Sequence, residues 1–371
     1  MNIGYNRPSV IIIPVLLAVT LFVVACTSSE IANSTINTST PVNTSTSVTI
    51  VNTTITANPS STGIAAHSIE MGPDNNMWFV STGNKIGKIS PSTGEITKYI
   101  VPGYGGNTLP KLLDVIHSIT VGPNGNLWFT EFNGNKIGKI SPVTGNINEY
   151  GLSSGRSMPN VIVAGPDGNM WFTAYYGNAI SNISPTGVIT DYHIPTSDIL
   201  GTLPVSICVG PDGYLWFTEY EGNKIGKISP ITGSISQYNV PSSQAGISDV
   251  TSCSDGNLWF TENKGNKIGK ISPTTGDITE YEIPTVGSGV LGITAGPDGN
   301  LWFTENKGNK IGKISPTTGD ITEYEIPTVG SGVLGITTGP DGNLWFTELQ
   351  GDKIGKISPM TGDITEYPIE N

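Results

Sequence analysis

Short apolar runs set off by glycine turns recur seven times along this chain. In one repeat, Leu301-Trp302-Phe303-Thr304-Glu305 is an aromatic and apolar run opened by the turn Gly296-Pro297-Asp298-Gly299-Asn300. Lys310-Ile311-Gly312-Lys313-Ile314 then alternates with period 2, as does Ile321-Thr322-Glu323-Tyr324-Glu325-Ile326, the pattern of half-buried strands. Gly292-Ile293-Thr294-Ala295 supplies a fourth short strand. The linking tetrads Pro-Asp-Gly-Asn, Lys-Gly-Asn-Lys and Thr-Thr-Gly-Asp put Gly and Asn where tight hairpins need positive φ.

The repeat sets the fold. Trp78, Trp128, Trp171, Trp216, Trp259, Trp302 and Trp345 are all the tryptophans, and they recur every 43 to 50 residues in the same context. A period of this size marks an array in which no unit buries its apolar face alone. Four meandering strands per unit, seven units in all, predict an all-β, seven-bladed β-propeller over residues 61–371. An open β-solenoid is the alternative, but its coils usually repeat at about half this length. Ile364–Ile369 completes the last blade's fourth strand, so closure needs no borrowed strand, although Val48–Val51 would fit as an added edge.

The ends and the charge narrow the setting. Residues 8–25 form a nearly unbroken apolar run preceded by Arg7 and ending in Val23-Val24-Ala25-Cys26. This has the shape of a secretory signal over residues 1–26 with a lipoprotein-type cleavage site at Cys26; an uncleaved N-terminal anchor is the other reading. Either places the propeller outside the cytoplasmic membrane, at the extracellular face. Residues 27–60, almost all Ser, Thr, Asn, Val and Ile, read as a disordered tether. Asn33, Asn37, Asn43 and Asn52 begin Asn-x-Ser/Thr glycan acceptors within it. Arg7 and Glu30 cancel, so the net charge of −12 belongs to the propeller. Its lysines are spaced singly, which argues against nucleic acid and against anionic membrane as partners. Cys208 and Cys253 fall in neighbouring repeats at non-equivalent positions, a placement that does not predict a disulfide, and no zinc-spaced Cys/His cluster exists.

Residues 257–294 and 300–337 are identical. A stretch copied so faithfully is scaffold, and a specific site requires positions that differ between blades. Five residues before each Gly-Pro-Asp-Gly turn stand His67, His117, Asn160, Val205, Ser248, Leu291 and Leu334. This column begins the innermost strand, so its side chains should gather at the mouth of the central channel. Two of the three histidines sit there in adjacent blades; the third, His193, replaces a surface Glu. The pair reads either as polar groups facing water or as an acid/base or ligand pair near neutral pH. Nearby, the connection Gly103–Ile116 is the longest between blades and holds Tyr104, Lys111 and Asp114, while blade three adds Arg156, Tyr175 and Tyr176. Long loops over a rigid scaffold are frequent functional sites. A second column, three residues after each Trp, reads Ser81, Glu131, Ala174, Glu219, Glu262, Glu305 and Glu348. Five glutamates of seven indicate a structural role, pairing with the Lys of the Gly-Asn-Lys turn, though any single one would suit a cation.

The repeat Gly-Pro-Asp-Gly-Asn-Leu-Trp-Phe-Thr-Glu, followed by Gly-Asn-Lys-Ile-Gly-Lys-Ile and Ile-Thr-Glu-Tyr-x-Ile-Pro, resembles that of the virginiamycin B (streptogramin B) lyases over residues 62–371. That resemblance implies Mg²⁺-dependent elimination opening the ester of a cyclic depsipeptide antibiotic. His67 and His117 match the family's two histidines in order, and Glu131 matches its magnesium-binding glutamate. The family's Glu two residues before the second histidine is replaced by Val115, and its Pro-His-Gly context by Ile116-His117-Ser118. On this resemblance His117 is the general base, Glu131 holds Mg²⁺ and His67 orients the substrate. Asp114 is the nearby carboxylate to replace the missing one, and Asn160, Arg156, Tyr104 and Tyr175 are the expected substrate contacts. The expected partner is a small cyclic peptide, met by a monomer. A tethered propeller that binds a surface peptide or glycan without turnover is the alternative. A gluconolactonase-type propeller would need acidic residues that the innermost column lacks.

Overall fold

The computed structural model describes residues 66–81, 84–102, 116–152, 157–196 and 201–369; of Ala66, His67 and Ser81 it describes the backbone alone. The apolar N-terminal run, the tether, Val48–Val51, Tyr104, Lys111, Asp114, Val115 and Arg156 lie outside the described residues. Among the described residues, twenty-eight strands form seven sheets, each of four consecutive antiparallel strands. This is the seven-bladed propeller that the repeat predicts. In blade six the strands are Val290–Ala295, Leu301–Glu305, Lys310–Ile314 and Ile321–Glu325. Among the described residues no helix is long and apolar enough to cross a membrane.

The repeated residues have local causes. Asn309 sits at φ 56°, a left-handed conformation that Asn tolerates. Its amide donates to the carbonyls of Ile326 and Thr328 at 3.0 and 3.1 Å, and its Oδ1 accepts from the Ser331 amide at 2.9 Å. One turn residue thus ties the hairpin to the strand that leaves the blade. Gly312 lies beneath the Phe303 ring, and a Cβ there would come within 2.1 Å of it. The Gly of Lys-Ile-Gly-Lys is required by that overlap.

Blades pack face to face, each Trp against the next blade's Phe. Trp302 joins Ile326, Val333, Leu344, Phe346 and Ile357 in one buried cluster. Every Trp is at most 1% exposed, and full burial of such a side chain contributes roughly 1.5–3 kcal/mol. The ring closes the same way: Trp345, Ile354 and Ile369 of blade seven pack on Ile69, Met77, Phe79 and Ile89 of blade one. Six of the seven indoles also have a polar anchor. In these the Nε1 donates to the turn Asp at 2.9–3.2 Å. In six blades a cross-strand Lys lies over the ring, as Lys313 does over Trp302 at 5.3 Å, whereas Asn182 stands across from Trp171. Blade two has Asn124 at the turn, and Trp128 Nε1 is without a hydrogen-bond partner.

Cys208 and Cys253 are free thiols, in keeping with their non-equivalent positions.

Candidate functional site

A local irregularity aims the first column inward. In blade two Ile116 pairs with Glu131 and Ile119 with Phe129, so His117 and Ser118 stand opposite the single residue Thr130. This is a β-bulge, which bends a strand and redirects its side chains. A register shift falls beside this column in all seven blades. Thr130 repairs the gap: its Oγ1 accepts from the Ser118 amide at 3.1 Å and donates to the carbonyl of Asn160, in the next blade, at 2.7 Å. Blades three, five and six repeat the arrangement, with Thr173, Thr261 and Thr304 bonded to Val205, Leu291 and Leu334. Column residues of neighbouring blades are thereby fixed in relation to one another.

His117, Asn160 and Val205 form a continuous chain across three blades. His117 Nδ1 lies 2.7 Å from Asn160 Oδ1, and Asn160 Nδ2 donates to the Val205 carbonyl at 2.9 Å. The imidazole stacks on Phe132, with centroids 4.3 Å apart and planes 12° apart. Burial holds its pKa below the usual histidine value, partly opposed by the Asn160 hydrogen bond. The ring is therefore neutral at neutral pH, the state in which it accepts a proton. Asn160, expected to face substrate, instead has both ends of its amide on protein partners.

Aromatic rings continue outward from His117. Phe132 meets Tyr175 at 5.8 Å, and Tyr175 meets Tyr176 edge-on at 4.9 Å. In blade four Tyr220 lies under Lys264, 4.6 Å from its Nζ, and Lys264 pairs with Glu221 at 3.0 Å. Burial first, then Tyr176, Tyr220 and Glu221, push the Tyr175 hydroxyl up to about 12, so it remains a phenol and a donor. The equivalent positions of blades five and six are Asn263 and Asn306, whose amides bond the Val290 and Val333 carbonyls at 2.9 Å. Blades two to four thus carry rings where the copied blades carry scaffold. Sequence reasoning singled out Tyr175 and Tyr176 but missed Phe132. The run Phe132, Tyr175, Tyr220 in the residue after the glutamate column was the available signal.

The glutamate column corrects one expectation. Lys267, Lys310 and Lys353 pair not with it but with Glu280, Glu323 and Glu366 of the fourth strand, at 2.8, 3.0 and 2.6 Å. Those carboxylates also take the amides of Ser242, Thr285 and Thr328 in the incoming connection, which fixes them where the lysines reach. Glu262, Glu305 and Glu348 are fully buried, with no hydrogen-bond partner at either oxygen. Burial and the adjacent Glu280, Glu323 and Glu366 push their pKa values up to about 7, 8 and 8.

Glu131 is 5% exposed and folds back on its own turn, where a Cβ on Gly134 would lie 3.1 Å from Oε2. Lys136 pairs with Glu149 at 3.0 Å. A hard divalent ion such as Mg²⁺ takes oxygen donors, commonly one or two carboxylates completed by water and substrate. Glu131 fits as one such donor, and among the described residues no group of three His, Cys, Asp or Glu adds to it.

Two acids escaped the column reading. Glu70 stands where the other blades carry Thr120, Val163, Cys208, Thr251, Thr294 and Thr337, and burial pushes its pKa up to about 7. Asp249 joins three blades, accepting from the Ser206 hydroxyl at 2.6 Å and from the amides of Val250 and Ile293 at 2.9 Å. Each is the lone acid of its column, a difference visible once the repeats are aligned.

The virginiamycin B lyase family profile matches residues 45–231 and 198–371. Among solved structures, one described as a streptogramin B lyase is 38% identical, covering 79% of this chain and 93% of that one, with a TM-score of 0.72. Virginiamycin B lyase from Staphylococcus aureus is 42% identical over 69% of this chain and 85% of its own, with a TM-score of 0.65. A catalytically inactive histidine-to-alanine variant of that protein, determined with quinupristin, matches equally well, at 42% and 0.65. A putative 6-phosphogluconolactonase from Bacteroides uniformis, 14% identical with a TM-score of 0.57, shares the fold. No curated protein sequence matches the chain.

Proposed function

Since the chain belongs to the virginiamycin B lyase family, we propose that it opens the ester of a cyclic depsipeptide by elimination. The observation that carries this reading is His117, a neutral imidazole fixed by Asn160 and Phe132 beside an arc of half-buried rings. His117 takes the proton from the carbon α to the carbonyl. The released electron pair forms a C=C bond to the neighbouring carbon, whose C–O ester bond breaks, and the carboxylate leaves. Glu131 is the protein's ligand for Mg²⁺, which when bound polarises the ester. Tyr175 and Phe132 receive the apolar groups of the depsipeptide ring, with Tyr104 and Arg156 of the adjoining connections assigned to the same role. His67 orients the substrate, and Asp114 stands in for the carboxylate that Val115 replaces. The apolar run at residues 8–25 and Cys26 support export to the extracellular face, with the propeller acting as a monomer.

The test incubates the full chain with quinupristin, with and without Mg²⁺, and reads products by liquid chromatography with tandem mass spectrometry. Elimination gives an isomer of unchanged mass with altered fragmentation, whereas hydrolysis adds one water. A Mg²⁺-dependent isomer that disappears in His117→Ala supports the lyase. Binding without any product at high enzyme concentration points instead to a propeller that only captures its ligand.

A further inference from the structure

Building on the reading of His117 as the base, we infer that Asn160 is a positioning residue that fixes the imidazole as its Nδ1–H tautomer, leaving the lone pair on Nε2. The inference comes from which atoms can donate. The Val205 carbonyl oxygen only accepts, so the end of the Asn160 amide 2.9 Å away is the NH₂ group. That places Oδ1 at the imidazole, 2.7 Å from Nδ1. Oδ1 cannot donate, so the proton in this hydrogen bond belongs to Nδ1. A flipped amide would set two acceptors against each other beside Val205. The Thr173 hydroxyl also donates to the Val205 carbonyl, at 3.0 Å, and holds it in place.

Two further constraints act on the ring. The Asn160 carbonyl is tied to Thr130, so the residue is held at backbone and side chain alike. Phe132, stacked nearly parallel to the imidazole, limits its rotation out of the Asn160 direction. Among the described residues the network runs through blades two to four. At the same column Ser248 bonds its own Gly246 carbonyl at 3.2 Å, and Leu291 and Leu334 have no polar side chain. An isolated neutral imidazole favours the Nε2–H form, in which the lone pair would sit on Nδ1 and face the amide. Asn160 thus selects the tautomer whose basic nitrogen is on the far side of the ring from Asn160.

Histidine-selective ¹⁵N labelling of the full chain tests this, because two-bond couplings from the ring carbon-bound protons distinguish the tautomers. His117→Gln assigns the signal among the three histidines. The expected result is protonated Nδ1 and unprotonated Nε2 in the native chain. Asn160→Ala should shift the ring towards Nε2–H, whereas Asn160→Asp, which keeps an acceptor, should retain Nδ1–H. With quinupristin, kcat of Asn160→Ala should fall about 10- to 100-fold with little change in KM, the usual size for a misaligned catalytic group. A native Nε2–H ring, or an unchanged tautomer in Asn160→Ala of native urea midpoint, would overturn the assignment. A tautomer switch with unchanged kcat would overturn the catalytic role of the positioning. The coupling pattern is read without turnover, so loss of the lyase reading leaves the tautomer decided on its own.

Discussion

Asn124→Asp should stabilise the propeller. Trp128 is the one indole of the seven whose Nε1 has no acceptor, because its turn carries Asn where six blades carry Asp. In those six the bond measures 2.9–3.2 Å. The introduced carboxylate would also face Lys139, which already lies over the Trp128 ring at 5.1 Å. Lys227 pairs with Asp212 in the equivalent place at 2.7 Å. A hydrogen bond to a charged acceptor contributes about 1.5–3 kcal/mol. The turn carboxylates are 22–26% exposed, and partial solvation trims the expected gain to about 1–2 kcal/mol. Urea denaturation followed by tryptophan fluorescence measures it, with a Tm rise of roughly 2–4 °C as the thermal counterpart. Asp298→Asn is the mirror experiment and should lose a similar amount, since it leaves Trp302 as Trp128 is now. If Asp298→Asn destabilises while Asn124→Asp gives no gain, the indole–turn bond is not what blade two lacks, and the reasoning fails.

Two other outcomes follow from the same contacts. The buried Glu262, Glu305 and Glu348 have folded pKa values of about 7, 8 and 8, above the ordinary carboxylate value of the unfolded chain. The folded state therefore holds protons that the unfolded state releases, and stability should fall as pH rises from about 4.5 to about 8. Glu305→Gln should raise the urea midpoint at pH 8 and leave it nearly unchanged at pH 4.5; equal effects at both would refute the assignment. Thr130→Val removes the hydroxyl shared by Ser118 and Asn160 and leaves a backbone amide and a carbonyl without that partner. A loss of about 1–3 kcal/mol in urea denaturation is expected, together with lower turnover, because the bulge that carries His117 loses its brace.

Much of the architecture was legible because the repeat states it seven times. The strand Lys310–Ile314 coincides with its period-2 run, and Leu301–Glu305 with its aromatic run. The bulge was not legible: alternation gives no sign that His117 and Ser118 share one partner position, since the compensating bond comes from the Thr130 hydroxyl of another strand. The column nonetheless brought His117 and Asn160 together correctly, while the direction of the Asn160 amide depends on a carbonyl in a third blade. The lysine pairing was misread for a related reason. Two glutamates compete for each Lys, and the connecting backbone amides decide between them, a choice that spacing along one strand does not record. His67 lies in the first strand of blade one, with its side chain undescribed, and Asp114, Arg156 and Tyr104 lie outside the described residues.

Among the described residues no sheet borrows a strand from another, and the blades of the identical segments meet their neighbours through equivalent Trp-on-Phe contacts. A blade is therefore a unit of inheritance as well as of folding. Duplication or loss of 43 residues from the copied region leaves every remaining strand with its own partners and presents each junction with a neighbour that it already fits. The cost falls on the angle at which the ring closes rather than on any pairing. Such copying is confined to the half of the ring without His117, Asn160 and Tyr175. The scaffold half of this molecule carries the mark of gene duplication, whereas the half that holds His117, Asn160 and Tyr175 has no such copy.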